Sequence, residues 1–428
     1  MNRHFAVALL FSLSLLACRT TTTGPTAALP TAAIQIIRDR PDIVAAMTAV
    51  DQDKDATVAE WRAITEIPAP SSHEEKRADY VEQKLREYGL SNIQRDSAGN
   101  VFGTRKGTGG GAHVVFDAHL DTVFPMNTDL TTRIENGRIY APGIGDDTKN
   151  VASLLAMIRA MNAAHVETKG DVTFVFTVRE ETDFGGVNQF LDDHGSSIQR
   201  YVTLDGGYTG FTYGGIGIYW FRYHFLGPGG HTRSDTPPYS ATLPVARTIE
   251  RISKMKLPPN CWINVGMLGA GDVFNAKASD AWFSLDLRSN DEALLKSLEK
   301  KVDSIANEEA ARAGMKLRRD VDSTEEVASL PGHRNSEMVR TTEAVWRAFG
   351  FDPMITDTAS NHTSAALRAG IPAIGTGVGP CEGGHSIEEN CEVEPVFTGI
   401  KRNIVLAVAL ADASPNPERS EGSTEQKR

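Results

Sequence analysis

Residues 172 to 178, VTFVFTV, form a β-branched and aromatic run without a single charge, the pattern of a strand buried on both faces. Similar extended runs lie at Asn100 to Thr104, His113 to Asp117, Arg200 to Leu204 and Ile371 to Thr376. Apolar positions recur at helical spacing between them. Ser72 to Gly89 continues one stripe through Ala78, Val81, Leu85 and Leu90, and Val151, Leu154, Leu155 and Ile158 make another. Ala45 to Ile67, Phe184 to His194, Glu337 to Phe349 and Pro395 to about Asp412 also read as helices. Ser72 and Glu75 stand at capping-box spacing, and Asp146 or Asp147 is placed to cap the helix that follows. Strands and helices in this order predict an α/β fold.

At Gly214 the pattern changes. Gly214, Gly215 and Gly217 suggest a hinge, followed by the strand IYWFRYHFLG and the turn GPGGHTRSD. A helix over Ala241 to Met255, strands around Ile263 to Leu268 and Ala281 to Arg288, and a helix over Asp291 to Ala313 complete a β-α-β-β-α unit. This order predicts a small α+β domain, residues 213–328, inserted between two parts of the larger one, 36–212 and 329–412.

The ends are of other character. Phe5 to Ala17 is an apolar run behind Arg3 and His4, too short to span a membrane and suited to a signal peptide over residues 1–17. It closes on Leu15-Leu16-Ala17-Cys18, which resembles a bacterial lipobox. That resemblance implies export to the periplasm, lipidation of Cys18 and anchoring at the outer membrane. Residues 18–35 read as a tether, and 413–428 as a disordered polar tail.

With 428 residues, 40% hydrophobic and 23% charged, the chain is long enough for two or three globular domains. Its net charge of −11 argues against a nucleic-acid partner or an anionic membrane surface. Of the four cysteines, Cys381 and Cys391 are placed to pair across a short loop in an oxidising compartment, with two free thiols as the alternative. The segment DQDKDATVAEWR mimics a calcium loop, but Ala56 stands where the turn needs Gly and Arg62 where the bidentate Glu belongs, so it is rejected.

The chemistry gathers at strand ends and in Gly-rich loops. Arg179-Glu180-Glu181 closes the central run, and two carboxylates at the C-terminal end of a buried strand sit where open α/β sheets bind ligands. In an extended chain the two point different ways. His119 and Asp121 are two apart, so Asp121 can orient the imidazole. Asp146 follows Gly143 and Gly145, Asp205 ends a third strand, and His385 lies in GVGPCEGGHSIEEN. Carboxylates converging on one sheet edge repel unless a cation compensates them. Apart from the orienting Asp121 these candidates number six, and five of them, His119, Asp146, Glu181, Asp205 and His385, are nitrogen or oxygen ligands that suit two zinc ions, leaving Glu180 as a base.

The ordered series HLDTV, GIGDD, REE, LDGG and GGHS resembles the di-zinc exopeptidase and amidohydrolase family, which includes peptidase T, glutamate carboxypeptidase, aminoacylase and acetylornithine or succinyl-diaminopimelate deacylases. The likeness runs over roughly residues 57–412. It implies a catalytic domain with a mostly parallel sheet flanked by helices, interrupted by a lid and dimerisation domain. His119, Asp146 and Asp205 are then implied for one Zn²⁺ and Asp146, Glu181 and His385 for the other, with Co²⁺ or Mn²⁺ as substitutes. Glu180 becomes the general base and acid, and Asp121 the orienter of His119. His231 would polarise the scissile carbonyl in a partner subunit, making the protein a homodimer through residues 213–328. Asn275 and Arg288 would bind substrate carbonyl or carboxylate groups, a structural ion pair being the alternative for Arg288.

Asp at position 205 is the form more common among the family's peptidases, which leans toward a peptidase T-like aminopeptidase or dipeptidase. An N-acyl-amino-acid deacylase or carboxypeptidase with the same site is the alternative, and a non-catalytic peptide-binding lipoprotein a third reading. Thr148 replaces the family's usual Lys, and SNHTS at 360–364 lacks its usual acidic residue; both departures bear on substrate choice.

Overall fold

The computed structural model describes residues 31–233 and 237–415. The expected signal peptide, Cys18, most of the tether and most of the tail lie outside the described residues. Among the described residues no helix is long and apolar enough to cross a membrane.

Four strands, Val172–Thr177, Val114–His119, Arg200–Leu204 and Ala373–Thr376, are buried at every position, as their largely apolar runs require, even at Asp117, His119 and Arg200. They lie side by side in that order, all parallel, at the centre of an eight-stranded sheet. Val101–Arg105 and Ser91–Arg95 extend one edge antiparallel, and the two-residue strands Phe211–Thr212 and Ile355–Thr356 extend the other. Parallel strands need helices on both faces. The helices Lys149–Ala163 and Glu394–Ala411 carry the larger core, packed with Phe116, Phe174 and Trp346. Gly185–His194 and His362–Arg368 cover the opposite face with Phe190, Leu191 and Leu367. The C-terminal ends of all four central strands therefore open on one sheet edge.

The inserted segment forms a five-stranded antiparallel sheet from Gly217–Leu226, Cys261–Asn264, Leu268–Ala270, Asp280–Ser289 and Lys316–Glu325. Burial alternates residue by residue along Asp280–Ser289, so one face packs on the helices Thr242–Ser253 and Glu292–Ala313. Lys316–Glu325 was not among the expected strands. It is an edge strand of mostly exposed polar residues, KLRRDVDSTE, and gives no apolar signal.

Local expectations are corrected in four places. Residues 31–35, read as part of the tether, belong instead to the helix Thr31–Arg38, whose Ile34 is buried in the larger core. Ala45 to Ile67 is not one helix but two, Pro41–Gln52 and Lys54–Thr65. Ser72 does not cap the Glu75–Glu87 helix: it takes a left-handed conformation, and its amide donates to Glu74 instead. Neither Asp146 nor Asp147 caps the Lys149–Ala163 helix, because both carboxylates are held elsewhere.

Candidate metal centre

Three ligand atoms from His119, Asp146 and Glu181 lie within 4.8 Å of one another at the edge where the parallel strands end. His119 is the last residue of its strand. Its Nε2 sits 2.9 Å from Asp146 Oδ1, and its Nδ1 is 3.4 Å from Asp121 Oδ1. The second oxygen of Asp146 meets His385 Nε2 at 3.1 Å, and His385 Nε2 is also 3.2 Å from Glu181 Oε2. Asp146 thus stands between the two imidazoles, one oxygen toward each.

Glu180 and Glu181 are not in extended chain. The strand stops at Thr177, Arg179 turns left-handed, and the two glutamates begin a one-turn helix, Glu180–Asp183. What holds this turn is Asp121. Its carboxylate accepts the amides of Glu180 at 2.9 Å and Glu181 at 3.1 Å, and the Ser71 hydroxyl at 2.5 Å. Asp121 therefore orients His119 and seats both glutamates at once. Behind it the buried Arg77 guanidinium donates to the Leu120 and Ile67 carbonyls and fixes the strand end.

The electrostatics are those of a cation site. Burial first, then the Asp146 charge, pushes the Glu181 carboxyl up to about 7, against the pull of His119. Burial and Asp146 likewise raise Asp205 to about 6. Glu180 lies well above the usual carboxyl range, through burial first and then Asp205 and Glu181. The bond to Asp146 raises His385 to about 9. Burial opposes a charge on His119, yet Asp147, Asp121 and Asp146 carry its pKa well above the usual imidazole value. The histidine bonds hold Asp146 far below the carboxylate range in spite of its burial. Glu181 Oε1 is buried with no hydrogen-bond partner. An orphaned carboxylate oxygen among nitrogen and oxygen donors fits a divalent cation.

Asp205 follows its strand as read from the sequence, but among the described residues it belongs to no group this tight; its charge reaches Asp146, Asp147 and Glu180. His231, Asn275 and Arg288 lie in the inserted domain. His231 is exposed and accepts the Arg233 amide, the Asn275 carbonyl accepts the Thr232 amide, and Arg288 Nε pairs with Asp286 at 3.1 Å, the ion pair weighed as its alternative.

Several supporting residues went unread. Glu389 is buried, and its carboxylate accepts the amides of Gly143 at 2.7 Å, Gly145 at 2.8 Å and Asp146 at 2.8 Å. It holds the loop that presents Asp146. Burial raises its carboxyl while those amides pull it down. The acidic EE beside His385 was the available signal. Cys381 and Cys391 are bonded, closing the short hairpin that carries His385 and Glu389, and Cys261 is free and buried. A Cβ on Gly145 would meet both sulfurs at 2.8 Å, so only glycine lets the disulfide pack against the Asp146 loop. In SNHTS, Asn361 Nδ2 donates to the Asp205 carbonyl at 2.5 Å, and His362 Nδ1 pairs with buried Asp117 at 2.5 Å.

Residues 115–406 match the model of Peptidase family M20/M25/M40. Among curated proteins the chain is similar to the succinyl-diaminopimelate desuccinylase of Corynebacterium glutamicum, 29% identical over 34% of this chain and 40% of that one. Alignments to the curated relatives span between 27% and 57% of their lengths. Among solved structures it is similar to a tripeptidase from Staphylococcus aureus, with TM-score 0.73 and 19% identity over 83% of this chain and 98% of that one. It is also similar to the Bacillus subtilis YXEP protein, a dinuclear metal binding peptidase, with TM-score 0.66 and 15% identity over 85% and 99%. At such identities these structural likenesses speak for the fold.

Proposed function

Because this chain belongs to Peptidase family M20/M25/M40, we propose that it is a zinc-dependent exopeptidase that hydrolyses amide bonds of small peptides, as an aminopeptidase or dipeptidase. The observation that carries this reading is Asp146, with one oxygen toward His119 and the other toward His385 and Glu181 beyond it. His119, Asp146 and Asp205 would hold one cation, and Asp146, Glu181 and His385 the other. Zn²⁺ suits the donor set, with Co²⁺ or Mn²⁺ able to replace it. When bound, such a pair of cations supplies Lewis-acid charge and a water of lowered pKa.

The chain's own residues do the rest. Glu180, left without a ligand role and raised in pKa, takes the proton of the attacking water and returns it to the leaving amine. Asp121 holds His119 by its Nδ1 side, which keeps Nε2 toward Asp146. The proposal includes a homodimer through residues 213–328, in which His231 of one protomer serves the scissile carbonyl in the other. Asn275 and Arg288 would receive substrate carbonyl or carboxylate groups, Arg288 on leaving Asp286. It also includes export and a lipid anchor on Cys18, which palmitate labelling of the wild type against Cys18→Ala would test.

The likeness to a protein named a desuccinylase favours a second reading, an N-acyl-amino-acid deacylase on the same site. A panel of free di- and tripeptides, N-blocked peptides and N-acyl amino acids, assayed with and without chelator, separates them. Chelator-sensitive cleavage confined to peptides with a free amino terminus supports the exopeptidase. Cleavage confined to blocked compounds supports the carboxypeptidase or deacylase, and none at all refutes both.

A further inference from the structure

A cavity of about 320 Å³ opens beside Asp205, between the loop Gly206–Thr212 and the segment 354–361, with Gly375 in its lining. It borders the proposed cation site on the Asp205 side: Asp205 lines it, Asn361, also in its wall, bonds the Asp205 carbonyl, and the Asp205 charge reaches Asp146 and Glu180. At roughly 30 Å³ per water it has room for a leucine- or methionine-sized side chain. Its walls are tied together. The single Thr376 hydroxyl proton is shared between the Gly207 and Gly210 carbonyls, 3.2 and 3.1 Å from Oγ1, and the Phe211 amide donates to the Met354 carbonyl at 3.0 Å. From behind, the buried Arg402 donates to the carbonyls of Tyr208 and Gly377, both at 2.6 Å, and stacks on Trp346. A pocket this well braced discriminates by its lining rather than by adapting.

The lining is distinctive in charge. It presents Thr209, Thr356, Thr358, Ser360 and Met354, and no Lys, Arg or His. Its single ionisable side chain is Asp205, assigned above to a cation and so not free to greet a substrate charge. A carboxylate entering here would lose water and find no cationic side chain among the lining residues, whereas a neutral side chain needs no such partner.

We propose that this cavity receives the substrate side chain flanking the scissile bond, and that it selects uncharged side chains against aspartyl, glutamyl and succinyl-type acids. This rests on the hydrolase reading above and narrows its substrate class. The test compares kcat/KM for matched peptides carrying Thr, Leu or Met with those carrying Asp or Glu, in the wild type, Thr358→Arg and Ser360→Arg. The expected result is at least a tenfold preference for the neutral series, and at least a tenfold shift of the acidic-to-neutral ratio toward acids in one arginine variant. Equal handling of both series by the wild type overturns the proposal, as does a ratio that neither variant moves. If the protein cleaves nothing, calorimetry on Glu180→Gln loaded with zinc reads the pocket alone, with free leucine, threonine and aspartate as probes. Tighter binding of the neutral amino acids would sustain the pocket while the hydrolase reading falls; equal binding ends both.

Discussion

Replacing Glu389 by Gln changes one oxygen to an amide nitrogen, 243 residues away in sequence from Asp146, whose loop it supports. Oε1 accepts from Gly145 and Asp146, and Oε2 from Gly143. The glutamine oxygen can keep the first two bonds at neutral rather than charge-assisted strength, but its NH2 must then face the Gly143 amide, donor against donor. Loss of one charge-assisted bond costs about 1.5–3 kcal/mol and the two weakened bonds add to it. Relief of a buried charge offsets part, leaving a net cost of about 2 kcal/mol. If the loop bears that cost in the metal-bound state, cation affinity falls about 30-fold, at 1.4 kcal/mol per factor of ten. The assay is competition for Zn²⁺ against a chromogenic chelator, with circular dichroism to show that the fold persists. Glu388→Gln is the control, since Glu388 is exposed and meets Arg133 only at 3.8 Å. Affinity in Glu389→Gln within threefold of wild type would refute the positioning role.

Other outcomes follow from the same geometry. Glu180→Gln should leave metal content unchanged and lower kcat at least a thousandfold; substantial turnover in that variant would remove Glu180 as the base. In the metal-free protein, Glu181 (about 7), Asp205 (about 6) and His385 (about 9) all hold protons more tightly than in the unfolded chain. Stability without metal should therefore fall as pH rises from about 4.5 to 9, and Zn²⁺ should raise the melting temperature more at pH 8 than at pH 5.5. A melting temperature of the metal-free protein that climbs across this range would contradict the raised values. Cys381→Ser with Cys391→Ser frees the hairpin bearing His385 and Glu389, so bound metal should drop while the far-ultraviolet spectrum stays the same; full metal content would show that the hairpin holds itself.

The candidate ligands were legible because each stands at or just past the end of a largely apolar strand or in a Gly-rich loop, where a carboxylate or imidazole has no structural excuse. The central strands were legible for the same reason. What stayed hidden acts through the backbone. Glu389 binds amides about 245 residues earlier in the chain, and Asn361 a carbonyl about 155 residues away, so neither leaves a local pattern. The turn of helix at Glu180 could not be read because it depends on Arg179 adopting φ 59°, a conformation any non-glycine residue resists. Lys316–Glu325 is a strand through its pairing with Gly217–Leu226, not through its own side chains.

The position of Asp121 constrains how such a protein can be altered. One carboxylate touches the imidazole of a proposed ligand, the amide of the proposed base and the amide of a second proposed ligand. A designer who wishes to move Glu180 by half an ångström to suit a new substrate must also move His119 and Glu181. Libraries that vary these positions singly would sample mostly dead variants. The productive ones would covary Ser71, Asp121 and the 179–183 turn as a block, inherited or replaced together.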